Sequence, residues 1–268
     1  MGLHPDWLRP DWPAPAWVGA VCTTRAGGHS QGPFASMNLG QHVGDDPAHV
    51  AANREHLTRT LQARPVFMQQ VHGTAVVQLQ HEVDQGLSAD GALTQQMGLA
   101  CTVMVADCLP ILIAHDRLPL VAALHAGWRG LAAGVAGSSA GIVEAGLDAL
   151  ADAAVCSLHD LSPGLMAWLG PCIGPSAFEV GAEVRTAFIA ADAPSERCFV
   201  PLAQGKYRAD LPSLARRRLE RAGLSRFYGN DGSDRWCTVA NSAFFSHRGS
   251  LLRHGISGGR MAACIWLV

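Results

Sequence analysis

Two histidines and a cysteine, far apart in a chain of 268 residues, are the side chains best suited to chemistry. His72 stands in "QQVHG", Cys108 in "VADCLPIL" and His125 in "LPLVAALHAGWRG". Two imidazoles and a thiolate suit zinc, and three protein ligands leave a fourth position open for water or substrate. Plainer roles stand beside that one: a cysteine is often just a small buried hydrophobe, and a histidine a hydrogen-bonded structural residue. The spacing adds an argument. The polar tetrad His115–Leu118 between two apolar runs predicts a hairpin turning about Asp116 and Arg117, which sets His125 directly opposite Cys108. Opposed residues on one face of an antiparallel pair have Cβ atoms about 4.5–5.5 Å apart, close enough to share a metal. Pro110 and Pro119 disturb the ladder, and a slip of one residue would send the two side chains to opposite faces. His72 precedes Gly73, where the backbone bends and can redirect a side chain.

Further candidates surround these three. Arg129 follows Trp128 in a glycine turn that opens a helix, a good place to hold an anion, and Arg25 before "AGG" is similar. Asp107 adjoins Cys108; strand alternation points it to the other face, as a supporting carboxylate, unless a bulge intervenes. Cys108, Arg129 and Asp107 are the candidates for catalysis. In "NDGSDRWCTVANSAFFSHR", Asn241, Ser242 and His247 offer hydrogen-bonding groups to a pocket, and Arg25, Arg129, Asn241 and His247 are the candidates for binding substrate and phosphate. No Ser-His-Asp spacing, Walker loop or dinucleotide fingerprint appears, and "GISGGR" lacks the strand-to-helix setting of a phosphate cradle.

The elements that must position these groups read as a mixture. "VGAVC" and "MAACIWLV" look like strands, "PVFMQQVHGTAVVQL" like two short strands broken at His72-Gly73, and the apolar stretch 99–127 like several more. Helices are expected in "NREHLTRTL", in 131–150, in "FEVGAEVRTAFIAAD" and in "DLPSLARRRLERAG", the last capped by Asp210. "RRRLER" (216–221) reads as the solvated face of that helix. Without a regular βαβ rhythm, the expectation is a single α/β (α+β) domain over 1–268, a mixed β-sheet flanked by helices, with residues 1–17 an extended N-terminal arm. Twenty basic against 22 acidic residues give no electrostatic case for nucleic acid or an anionic membrane. Nothing reads as a signal peptide or a membrane span, and the eight cysteines are scattered singly. Reduced thiols and a cytoplasmic location are expected.

The words "TTRAGGHS", "NLGQHVGD", "QQVHG", "ADCLPILI", "HAGWRG", "LGPCIGPSAFEVG", "FFSHR" and "GRMAACIWL" occur in this order. Together they resemble the laccase-domain family of bacterial proteins, once called multicopper polyphenol oxidases and now described as purine nucleoside phosphorylases. The resemblance runs from about Val21 to Val268. It implies one α/β domain and one zinc held by His72, Cys108 and His125. It also implies phosphorolysis of adenosine, inosine, guanosine and S-methyl-5'-thioadenosine, with deamination of adenosine, and purine nucleosides and phosphate as partners; a homodimer is allowed. Cys172 in "GPCIGP" is not expected to be catalytic. Three alternatives stay open. A copper polyphenol oxidase needs several copper centres, and no H-x-H pair occurs. An amidase editing a wrong amino acid of a UDP-muramoyl nucleotide would use the same site. A binding module with a fully coordinated structural metal would unfold as Cys108→Ala.

Overall fold

The computed structural model describes residues 2–132 and 140–268. Its strands in chain order are β1 (Val18–Cys22), β2 (Arg64–Phe67), β3 (Val76–Gln78), β4 (Gly91–Thr94), β5 (Leu99–Val105), β6 (Leu109–His115) and β7 (Val121–Ala126). There follow β8 (Leu165–Leu169), β9 (Glu179–Val180), β10 (Phe199–Pro201), β11 (Tyr207–Ala209), β12 (Phe227–Gly229) and β13 (Met261–Leu267). The helices are α1 (Pro47–Leu61), α2 (Trp128–Leu131), α3 (Ile142–Ala154), α4 (Leu158–Leu161), α5 (Ala182–Ala191), α6 (Leu211–Arg221) and α7 (His247–His254).

The mixed α/β class holds, but the expected single sheet is divided into three. One has the order β1-β13-β5-β2, a second β12-β8-β6-β7-β4-β3, and a small third β10-β11-β9. The first two stack face to face, and alternation sorts each strand's side chains between layers. In β6, Leu112 and Ala114 enter the core between the two large sheets, while Ile111 and Ile113 face the core under α3 and α6. In β13, Ala263, Ile265 and Leu267 face the inter-sheet core, while Ala262, Cys264 and Trp266 pack with Leu57 and Leu61 of α1. The order of layers is therefore helix, sheet, sheet, helices. Strands buried on both faces read as continuous apolar runs, which is why β5, β6, β7 and β13 show so little alternation in sequence.

The N-terminal arm has no regular strand or helix before Val18, yet it is no loose tail: Trp7 is buried, and Leu8 pairs with Cys22 as an isolated bridge. Caps form where short polar side chains meet helix starts. Asp46 accepts from the Ala48 amide at α1 and Asp210 from the Ser213 amide at α6. Of the helix expected over 131–150, α3 is present, and positions 133–139 lie outside the described residues. "RRRLER" needs correction as a wholly solvated face. Arg218 is buried and pairs with Glu144 of α3 at 3.0 Å, which ties α6 to α3 through a charge that burial alone would penalise. All eight cysteines are free thiols. Among the described residues no helix is long and apolar enough to cross a membrane.

Candidate metal centre

The hairpin expected around Asp116 forms between β6 and β7, with a register that differs from the expected one. His125 pairs with Pro110, not with Cys108, which precedes β6 in the turn from β5. The difference is two residues. A shift of two preserves the face of the sheet, so Cys108 and His125 still meet where a shift of one would have parted them.

His72 arrives by another route, and Asp90, just ahead of β4, arranges it. The Val71, His72 and Gly73 amides all donate to the Asp90 carboxylate, at 3.1, 3.0 and 2.7 Å. These bonds hold His72 at φ +59°, a left-handed conformation that costs a non-glycine residue about 1–2 kcal/mol. The same carboxylate lies 2.8 Å from Nδ1 of His125, so that nitrogen donates and Nε2 is left for a ligand role. One fully buried aspartate thus orients two imidazoles.

Nε2 of His72 lies 3.6 Å from Sγ of Cys108, and the centroids of the His72 and His125 rings are 4.9 Å apart. The donor atoms of His72, Cys108 and His125 all lie within 4.8 Å of one another, a spacing that a single ion could bridge. Neither glycine of "HAGWRG" has free room for a side chain as the cluster stands. A Cβ at Gly127 would sit 2.8 Å from His72 Cδ2 and 3.1 Å from Cys108 Sγ, and one at Gly130 would meet the Gly73 carbonyl oxygen at 2.5 Å.

The three groups perturb one another strongly. Burial opposes ionisation of Cys108, but the positive charge of His125 and hydrogen bonds from His125 and His72 prevail and bring the thiol down to about 6. Burial likewise opposes a charged His125, but the Cys108 thiolate and the Asp90 hydrogen bond raise it to about 9. Asp90 resists the upward push of burial and stays below the usual carboxylate range, through His125 and the Gly73 and Val71 amides. Both shifts run toward a thiolate beside an imidazolium, a pair whose imidazole proton a metal would displace.

These donors open onto a cleft of about 710 Å³ whose lining also includes His42, Gln70, His247, Arg248 and Arg260. Asp107 lines it as well. At φ +96° it leaves the strand path, and its carboxylate accepts from the Thr238 and Ser246 hydroxyls, both at 2.6 Å, and from the Arg248 amide at 2.7 Å. With three hydrogen bonds accepted, it ties the 238–248 segment to the turn beside Cys108. His247 reaches the cleft. Arg129 is not among the cleft's lining residues and its guanidinium stacks over Trp128 at 4.5 Å. Arg25, Asn241 and Ser242 line a separate pocket.

Asp90, Arg248, Arg260, His42 and Gln70 escaped the sequence reading. Arg248 and Arg260 stand inside quoted words, "FFSHR" and "GRMAACIWL". Asp90 offered only a carboxylate before a glycine at the edge of an apolar run, which a turn explains equally well.

Residues 19–268 match the family described as multi-copper polyphenol oxidoreductase laccase. The chain belongs to this family. It is 47% identical over 269 residues to a purine nucleoside phosphorylase of Pseudomonas aeruginosa, covering 99% of this chain and 98% of that one. It is 42% identical over 254 residues to purine nucleoside phosphorylase YfiH of Escherichia coli, covering 94% of each. Among solved structures it is similar to protein NMB0706 of Neisseria meningitidis (TM-score 0.86, 39% identity, 98% of this chain and 99% of that one). It is also similar to YlmD of Geobacillus stearothermophilus (TM-score 0.83, 30% identity, 100% and 98%).

Proposed function

We propose that this chain is a zinc-dependent purine nucleoside phosphorylase acting on adenosine, inosine, guanosine and S-methyl-5'-thioadenosine, with adenosine deaminase activity at the same site. The observation that carries the reading is the His72–Cys108–His125 cluster facing a cleft that also holds Arg248 and Arg260. The names of the relatives support it. Two nitrogens and a thiolate suit zinc, and among the described residues this is the one such group of three, whereas a multicopper oxidase needs several centres.

Phosphorolysis asks for an anion in line with the anomeric carbon and for charge relief on the departing purine. The cleft's volume is in the range of small-molecule sites. Arg260 is steadied by the carbonyls of Gly258 and Gly259, and Arg248 by that of Glu179. Among the described residues, Nε of Arg260 and Nη2 of Arg248 make no hydrogen bond, which leaves both guanidinium groups donors for phosphate. These two take over the phosphate role expected of Arg129 and Arg25. His42 and His247 line the same cleft and are the nearest candidates to move a proton to the leaving base. Zinc, when bound, would polarise the purine or lower the pKa of its water for deamination.

The test is product analysis with inosine and adenosine, with and without phosphate, on metal-loaded protein and on Cys108→Ala. Phosphate-dependent hypoxanthine and ribose 1-phosphate from inosine, absent in a folded Cys108→Ala, is the expected result; ammonia from adenosine without phosphate would mark the deaminase. No purine turnover by correctly metallated protein would overturn the reading and turn attention to muramoyl-peptide substrates.

A further inference from the structure

Behind the metal cleft lies a second pocket of about 300 Å³. It backs onto the cleft through Thr238 and Ser246, which line it and donate to Asp107 on the cleft side. Its lining contains Arg25, Arg253 and His254 and no acidic side chain. Among the described residues neither Arg25 nor Arg253 is in an ion pair with a carboxylate. Arg25 is held rigidly for a surface cation: Nε donates to the Ala35 carbonyl at 2.8 Å, and the guanidinium lies 4.9 Å over the Phe245 ring. That geometry spends one donor and leaves the two terminal nitrogens of the fork. Arg25 and Arg253 line one pocket, and burial and then the charge of Arg253 lower the pKa of Arg25. Ser250, also in the lining, is 5% exposed, and among the described residues its hydroxyl has no hydrogen-bond partner. Two guanidinium groups and an imidazole around a concavity with no acidic side chain in its lining make a surface suited to an anion.

We propose that this pocket is a second anion site, distinct from the metal cleft, taking a phosphate or phosphate-monoester group between Arg25 and Arg253. Planar forks recognise phosphate oxygens in pairs, and the volume leaves room for a small group attached to the phosphorus. The proposal does not depend on the phosphorylase reading, because binding tests one and turnover the other.

The experiment is calorimetric titration of the full chain with inorganic phosphate and, separately, with ribose 5-phosphate. It is done for wild type, Arg253→Gln, Arg25→Lys and Arg260→Gln, each checked for its melting transition. Wild type is expected to show a class of phosphate site at this pocket, and a second class at the cleft where the phosphorylase reading holds. Arg253→Gln, at an exposed helix end where folding is safe, weakens one class about tenfold or more, and Arg25→Lys weakens the same class by losing the fork. Arg260→Gln leaves that class intact. Tighter binding of ribose 5-phosphate assigns the pocket to a sugar monoester, and tighter binding of phosphate to the free anion; either supports the site. A single class abolished by Arg260→Gln, or unchanged binding in folded Arg253→Gln, overturns it.

Discussion

His125 and His72 bring their rings within 4.9 Å of each other from opposite kinds of backbone. His125 is buried in a strand paired on both sides, and register fixes where its backbone stands. His72 is exposed, on a loop in a left-handed conformation, and its place is fixed by one carboxylate that gathers three amides. A sheet delivers one imidazole and a single residue delivers the other. Asp90 is where the two modes join, since its carboxylate also holds His125.

Breaking that joint gives the largest effect. Asp90→Ala leaves a buried imidazolium and three amides without their acceptor, and is expected to cost about 3–5 kcal/mol of stability by denaturant unfolding. Asp90→Asn keeps the shape and should weaken metal binding about 10–100-fold by competition with a chelator. The two histidines should then separate. His125→Ala removes a buried group bonded to Asp90 and is expected to cost about 1–3 kcal/mol. His72→Gly relieves the left-handed strain, offsets that gain with chain entropy, and is expected to stay within about 0.5 kcal/mol of wild type. Both should lose the metal; an equal loss of stability in the two would erase the distinction.

The protons of the cluster sharpen the comparison in a pH series. With Cys108 near 6 and His125 near 9, metal binding between these values displaces the imidazole proton. Affinity is thus expected to rise about tenfold per pH unit across that window and to fall more steeply below it, where the thiol is protonated too. A flat profile in metal titrations between pH 6 and 9 would remove the thiolate–imidazolium pair. The smallest contrast lies in the two glycines. Gly130→Ala drives a Cβ into the Gly73 carbonyl and should cost about 1 kcal/mol in thermal unfolding, because backbone must move. Gly127→Ala meets the end of the exposed His72 ring, which can swing away, so stability should hold while metal affinity drops.

What could be read from the chain divides along the same line. The strands, the Asp210 cap and the convergence of Cys108 with His125 follow from local patterns: apolar runs, a polar turn and period-two geometry. The register differs by two because Leu118 and Pro119 lengthen the turn beyond the Asp116–Arg117 pair, so that Leu120 and not Leu118 faces His115, and parity keeps the pairing of faces. The roles of Asp90, Arg248 and Arg260 are tertiary. Each depends on which distant segment the fold lays against it, and a charged residue beside glycine has no local pattern that says so. Arg218 shows the converse, a charge in a basic run that looks solvated until Glu144 is brought to meet it.

The central claim is that His72, Cys108 and His125 hold one metal that the chemistry requires. The most direct measurement is zinc content and inosine phosphorolysis on one sample, before chelation, after it, and after zinc is returned. The account expects one zinc per chain, turnover lost on chelation and recovered with zinc, and neither zinc nor turnover in folded Cys108→Ala. Undiminished phosphorolysis by the metal-free protein would contradict it.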